Sequence, residues 1–260
     1  MERFQGKKVL IVGIGKTGFT LIHFFNKVGC DIKVTDIKPI FDLNKAVKKL
    51  KKIQPAPQMT FGEHREDDFL EADVVVYCSA VNPELPQLEL ARQNGKEVYS
   101  EFALGNKLCR KPIIAVCGSH GRTTVAHMIG FTLRQDGKNV FVGGTSESPF
   151  IEFSMLPNKD EIDYVVVEVS PLEMQGMVDF NPVMAIYPNI EEKTIEATNL
   201  LYAQANKLGF QLVDSTPKVV FVLLKSTNSN LYFLKNKSGK RILKACTITK
   251  SSGHSILPIF

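Results

Sequence analysis

The sequence predicts an α/β protein with two sheets of mainly parallel strands, and three observations carry that expectation. Short apolar runs alternate with stretches of helical length, the pattern of strands joined by crossover helices. Two of those runs end in glycine-rich turns that open helices, at Gly13–Gly18 and Gly118–Gly121. Between them the polar, basic segment Asn106 to Lys111 leads into Pro112, and the domain boundary is placed there, dividing the chain into residues 1–110 and 111–260.

Taken in order, Lys8 to Val12 is an apolar strand, and Phe19 to Val28 reads as a helix closed by Gly29, which can take the left-handed cap. Asp31 to Thr35 is the second strand. Lys45 to Lys52 reads as a helix with a solvated basic face, followed by a proline-containing connection over Gln54 to Gln58. Ala72 to Tyr77 is a buried strand, and Pro86 to Asn94 is a helix with proline at its start and Gly95 at its end. Val98 to Ser100 is a short strand. Beyond the boundary, Pro112 to Val116 is a strand, Val125 to Arg134 a helix and Asn139 to Val142 a strand. Tyr164 to Glu168 and the run from Phe180 to Ile190 read as further strands. Pro217 to Leu224, Leu231 to Leu234 and Arg241 to Ile248 read as strands.

Composition narrows the function classes. At 260 residues, 44% hydrophobic and 23% charged, the chain can bury one large core or two modest ones. It has no apolar run of bilayer-spanning length, and MERFQGKK leads into a strand rather than a signal-peptide core, so a cytoplasmic protein without a membrane partner is expected. Five scattered cysteines (Cys30, Cys78, Cys109, Cys117, Cys246) never fall in C-x-x-C spacing, which argues against a disulfide framework or zinc site. The formal charge of +5 is modest and lacks aromatic–basic interleaving, so nucleic acid is not an expected partner.

Two turns carry the chemistry. Gly13-x-Gly15-x-x-Gly18 follows a strand and opens a helix, with Asp36 at the end of the next strand, the layout of a Rossmann-like turn that admits a diphosphate. Retention of the glycines for helix packing alone, or an NAD-dependent dehydrogenase, would give the same letters. The second turn, in Lys111-PIIAVCGSHGRT-Thr124, exposes backbone N–H groups at a helix start, where phosphate binds. Its spacing is shorter than the general P-loop, and Arg122 stands where that loop has lysine. An ordinary strand-to-helix turn is the plain alternative.

The shortened pattern Gly-[Ser/Thr]-x-Gly-Lys-[Ser/Thr]-[Ser/Thr] resembles that of the Mur ligases, ATP-dependent enzymes that add amino acids to UDP-N-acetylmuramic acid. Gly13–Gly18 is similar to the GxGxTG form of the family's D-glutamate-adding branch, and Tyr77-Cys-Ser-Ala-Val-Asn-Pro-Glu84 is similar to its second UDP-sugar contact. Val167-Glu-Val-Ser-Pro-Leu-Glu-Met-Gln175 resembles its Glu-[Leu/Val]-Ser-Ser-Phe-Gln stretch. Departures accompany the match. Gly143-Gly-Thr-Ser-Glu147 replaces Gly-Gly-Asn-x-Gly, and Thr194 stands at the position of a metal-holding histidine. His120 leans towards the L-alanine-adding branch.

The resemblance implies a Rossmann-like UDP-sugar-binding domain followed by a shortened P-loop ATPase-type central domain. It implies ATP and Mg²⁺ as cofactors, ATP lying on Gly118, Ser119, His120, Gly121, Arg122, Thr123 and Thr124. Gly15, Lys16, Thr17, Asp36, Ser79, Ala80 and Asn82 would hold the UDP-sugar. Thr123 and Glu168 would hold metal, with carbamylated Lys207 supporting a second ion. Arg122, Glu168 and Lys207 are the implied catalytic residues. The implied partners are a UDP-N-acetylmuramoyl peptide precursor and an amino acid, most readily D-glutamate added to the L-alanyl form. The family's third, amino-acid-binding domain has no counterpart in these residues, which points to impaired ligation, a silent binding relative, or a partner chain that supplies the domain.

Overall fold

The computed structural model describes residues 2–118, 120–170, 173, 179–180 and 182–188, together with the backbone of three strands between residues 221 and 243. The first sheet has the order β3-β2-β1-β4-β5 and is parallel throughout. Its strands are β1 (Lys8–Val12), β2 (Asp31–Asp36), β3 (Gln58–Phe61), β4 (Val74–Tyr77) and β5 (Glu97–Ser100). β1 and β4 are buried on both faces between helices, which is why they read as unbroken apolar runs rather than alternations.

Helices α1 (Lys16–Val28), α2 (Asn44–Leu50), α3 (Glu66–Glu71), α4 (Pro86–Gln93) and α5 (Glu101–Leu108) connect or follow these strands. One core lies beneath α1 and α2, where Leu21, Ile22, Phe24, Phe25, Val47 and Leu50 meet Val9, Ile11 and Val34. The other lies beneath α3 and α4, where Phe69, Leu88 and Ala91 meet Leu10, Val12 and Val75. The connection expected over Gln54 to Gln58 passes into the edge strand β3, and α3 follows it. Both are short and half-polar, so periodicity alone misses them.

The second sheet has the order β10-β9-β6-β8-β7. Its members are β6 (Ile113–Val116), β7 (Val140–Gly143), β8 (Tyr164–Glu168), β9 (Met184–Tyr187) and β10 (Phe221–Leu224), the last antiparallel to β9. Helix α6 (Arg122–Gln135) crosses from β6 to β7 and covers Ile114, Val116, Val140 and Val166. β11 (Phe233–Lys235) and β12 (Arg241–Leu243) form an antiparallel pair.

The segment Asn106 to Lys111, read from sequence as a linker, is half helix. α5 continues to Leu108, capped at its start by the Ser100 hydroxyl on the Ala103 N–H at 3.0 Å, and only residues 109–112 join it to β6. Lys107 faces solvent and Asn106 is half-buried, while Glu101, Phe102 and Leu104 are buried. α5 packs on the 3₁₀ segment Phe150–Met155. The Phe102 and Phe150 rings lie 5.1 Å apart, and a Cβ on Gly105 would lie only 2.8 Å from Phe150 Cγ. Among the described residues no helix is long and apolar enough to cross a membrane.

Candidate functional site

In the first sheet the chain runs from β1 outward to β3, then returns to place β4 on the other side of β1. The crevice at such a reversal, outside the carboxyl ends of the strands, is where open α/β sheets bind ligands. Gly13 has φ +94°, and a Cβ on Gly18 would collide with the Gly13 carbonyl, so both glycines are required by the turn itself. Gly15 caps α1 without a side-chain hydrogen bond, leaving the first N–H groups of the helix to an anion.

Asp36 holds this turn. Its Oδ2 accepts from Ile14 N and its Oδ1 from Lys38 N, both at 3.0 Å, and Gly13 N donates to Thr35 O at 2.8 Å. A carboxylate retains further lone pairs for a ligand, but its first task here is to fix the β1 and β2 loops together. Thr17 is buried in the first turn of α1 rather than open to the crevice, whereas Lys16 is exposed. Ser79, Ala80 and Asn82 lie on the loop after β4. The Asn82 side chain closes that loop on Glu84 N at 3.0 Å, and the Cys78 thiol donates to Gly13 O at 3.3 Å, joining it to the glycine turn.

The second crevice opens at the carboxyl end of β6, between β8 and β9. Gly118 and Gly121 have φ of +101° and +73°, and Gly121 stands at the N-cap of α6. The next turn carries Thr123, whose Oγ1 donates to Glu168 Oε2 at 3.0 Å. Glu168 ends β8 with only 6% of its surface exposed. A hydroxyl beside a buried carboxylate at a helix start is a donor set that fits Mg²⁺ with phosphate oxygens completing its shell. Among the described residues no group of three or more His, Cys, Asp or Glu forms a metal cluster, so such an ion would depend on the phosphates and water. Arg122 bends back, its guanidinium donating to the Gly118 carbonyl of its own loop. His120 and Thr124 lie on the loop and the first helical turn. Ser119 and Lys207, like Thr194, lie outside the described residues.

Three carboxylates that motif reading did not assign stand around these crevices. Glu173 closes a capping box with Ser170, accepting from Ser170 N at 2.7 Å while Glu173 N donates to Ser170 Oγ at 3.3 Å. Burial raises its pKa and Arg122 nearby opposes that, with Glu168 adding to the rise. The spacing Ser-x-x-Glu was the available signal for it. Glu101, 4% exposed, accepts from Ile151 N at 2.7 Å, and burial pushes its pKa up to about 8. Glu147, on the turn after β7, forms an ion pair with Lys16 of the first glycine turn. That turn is pressed against the end of β8, since a Cβ on Gly144 would collide with the Glu168 carbonyl. No local pattern marks Glu101 or Glu147, because each acts across the two sheets.

Comparison with known proteins is consistent with this geometry. Residues 7–100 match the model of the Mur ligase MurD-like N-terminal domain, and residues 116–257 match that of the Mur ligase middle domain. The chain is 31% identical over 218 residues to UDP-N-acetylmuramoylalanine–D-glutamate ligase of Geobacter metallireducens, covering 83% of this chain and 47% of that protein. The enzyme of the same name from Koribacter versatilis is 33% identical over 209 residues, 80% of this chain and 45% of that one. A solved UDP-N-acetylmuramate-alanine ligase from Thermotoga maritima is 21% identical, with 74% of this chain and 44% of that chain covered at a TM-score of 0.44. The chain thus spans about half the length of the curated relatives it matches. With one family domain matched over each glycine turn, and the second match alone covering more than half of its residues, the chain belongs to the Mur ligase family.

Proposed function

We propose that this chain takes part in an ADP-forming ligation of peptidoglycan precursor synthesis, in which D-glutamate is added to UDP-N-acetylmuramoyl-L-alanine. The observation that carries this reading is the 3.0 Å contact between Thr123 Oγ1 and buried Glu168 Oε2 at the mouth of the Gly118–Gly121 turn. In this reading residues 1–110 form the UDP-sugar domain and 111–260 the ATP domain. Gly15, Lys16, Thr17, Asp36, Ser79, Ala80 and Asn82 hold the UDP-sugar. The loop from Gly118 to Thr124 receives ATP phosphates on its N–H groups, with Arg122 adding charge. Thr123 and Glu168 would hold Mg²⁺, which when bound would neutralise charge on the phosphates. Lys207, as a carbamate, would support a second ion.

The chemistry is two displacements. A carboxylate oxygen of the UDP-sugar attacks the γ-phosphorus, the bond to the β-phosphate oxygen breaks, and ADP leaves an acyl phosphate behind. The amine then attacks the acyl carbon, phosphate leaves, and the amine proton passes to solvent. Holding amine and carbonyl in line is worth several kcal/mol of barrier.

Incubating the pure chain with ATP, Mg²⁺, the UDP-sugar and either D-glutamate or L-alanine, with products read by mass, tests this. Slow ADP release with little adduct is expected, and Glu168→Gln and Thr123→Ala should each reduce ADP release by about tenfold or more. Release that is indifferent to both substitutions would overturn the assignment of the second crevice. A second reading, a catalytically silent relative that keeps nucleotide or UDP-sugar affinity, is favoured by Arg122 folding onto Gly118. It predicts binding with no ADP release.

A further inference from the structure

We propose that the turn and helix spanning residues 37–52 form a docking surface for an anionic lipid membrane, which the protein touches peripherally. Six lysines and one aspartate fall in this stretch (Lys38, Lys45, Lys48, Lys49, Lys51, Lys52 and Asp42). They account for the chain's whole formal charge of +5, and the other 26 basic and 26 acidic residues cancel. The same stretch holds a concentration of exposed apolar side chains, Ile37 at 61%, Ile40 at 55% and Phe41 at 69% exposure.

The backbone brings these features to one face. Asp42 N bonds to Pro39 O and Leu43 N to Ile40 O at 3.0 and 3.1 Å, so the helical turn begins before α2, and Lys51 N to Val47 O at 3.0 Å carries it past Leu50. At helical spacing Phe41, Lys45, Lys48 and Lys52 stand i, i+4, i+7 and i+11 on one side. Leu43, Val47 and Leu50 are buried on the other, in the core against the first sheet. The element is therefore firmly seated, and its outward side is an aromatic residue followed by a lysine stripe.

Lysines alone would suit any polyanion. A bilayer surface is the partner with phosphates at the level of the lysines and hydrocarbon just beneath, where Ile37, Ile40 and Phe41 lose their contact with water. Apolar insertion and electrostatic attraction supply the two signals that stable peripheral attachment needs. This reading is independent of the ligase proposal. It departs from the expectation of no membrane partner, which rests on the lack of a bilayer-spanning apolar run and does not bear on peripheral attachment.

The test is cosedimentation of the full chain with vesicles of phosphatidylglycerol and phosphatidylethanolamine, against vesicles of phosphatidylcholine alone. Binding to the anionic vesicles only is expected, weakening with salt. Reversing Lys45, Lys48 and Lys52 together to glutamate should lower the partition coefficient by about tenfold or more. Phe41→Ser with Ile40→Ser should lower it several-fold with the lysines intact, in a protein whose melting temperature matches the parent. Three results would overturn the proposal: no partition to anionic vesicles, partition indifferent to the Phe41 and Ile40 substitutions, or equal capture by polyglutamate beads through the same lysines. The proposal also fails if those apolar substitutions abolish UDP-sugar affinity while vesicle binding persists, since the turn would then serve the neighbouring crevice.

Discussion

In the proposed function, Arg122 is the residue on which nucleotide affinity is expected to turn. A lysine directly after the second loop glycine is a compact charge that can lie between β- and γ-phosphates, whereas a guanidinium is a planar fork. Here the fork folds onto the Gly118 carbonyl, and a ligand phosphate has to compete with that contact. Arg122→Lys is expected to tighten ATP·Mg²⁺ binding about fivefold, roughly 1 kcal/mol, measured by calorimetry. An unchanged or weaker constant would show that the arginine already serves the phosphates. The substitution itself was legible from the letters Gly-Arg-Thr-Thr. Where its side chain goes was not, because the acceptor is a backbone atom whose orientation depends on the positive φ of Gly118.

At the scale of elements, the contact of α5 with the 3₁₀ segment Phe150–Met155 couples the two sheets. Glu101 starts α5, and its carboxyl is buried between them, accepting from the N–H group of Ile151 at 2.7 Å. Burial, with Glu173 and Glu152 nearby, raises its pKa from 4.5 to about 8 despite that hydrogen bond. The folded protein therefore keeps a proton that the unfolded chain gives up. This contribution to stability is fully present below about pH 4.5, falls as pH rises, and is gone above about pH 8. Glu101→Gln keeps an acceptor for Ile151 N without the charge, so its melting temperature should change less between pH 5 and 8.5 than the parent's and exceed it at the alkaline end. Parallel pH profiles for the two proteins would remove Glu101 as the titrating group. The sequence marks none of this, because Ser-Glu-Phe-Ala before a polar stretch looks like a strand end running into a linker.

At the scale of the molecule, two sheets each present a glycine turn at a reversal of strand order, and Lys16 of the first turn pairs with Glu147 on the loop after β7 of the second sheet. A ligand in the first crevice is expected to be a UDP-sugar rather than NAD. Calorimetric titration should give saturable binding of UDP-N-acetylmuramoyl-L-alanine and none of NAD, and the reverse pattern would return the first sheet to the dehydrogenase reading. The sequence by itself determined the strands that became β1, β4, β6 and β8 and the two glycine turns that follow β1 and β6. Those features rest on local rules: a strand buried on both faces must be apolar along its length, and a turn with positive φ must be glycine. Only the tertiary structure decided that α5 occupies the supposed linker, that Asp36 ties Ile14 to Lys38, and that Glu101 and Glu147 stand between the sheets. Each depends on groups brought together from distant parts of the chain, and a carboxylate's partner leaves no periodic trace in the residues around it.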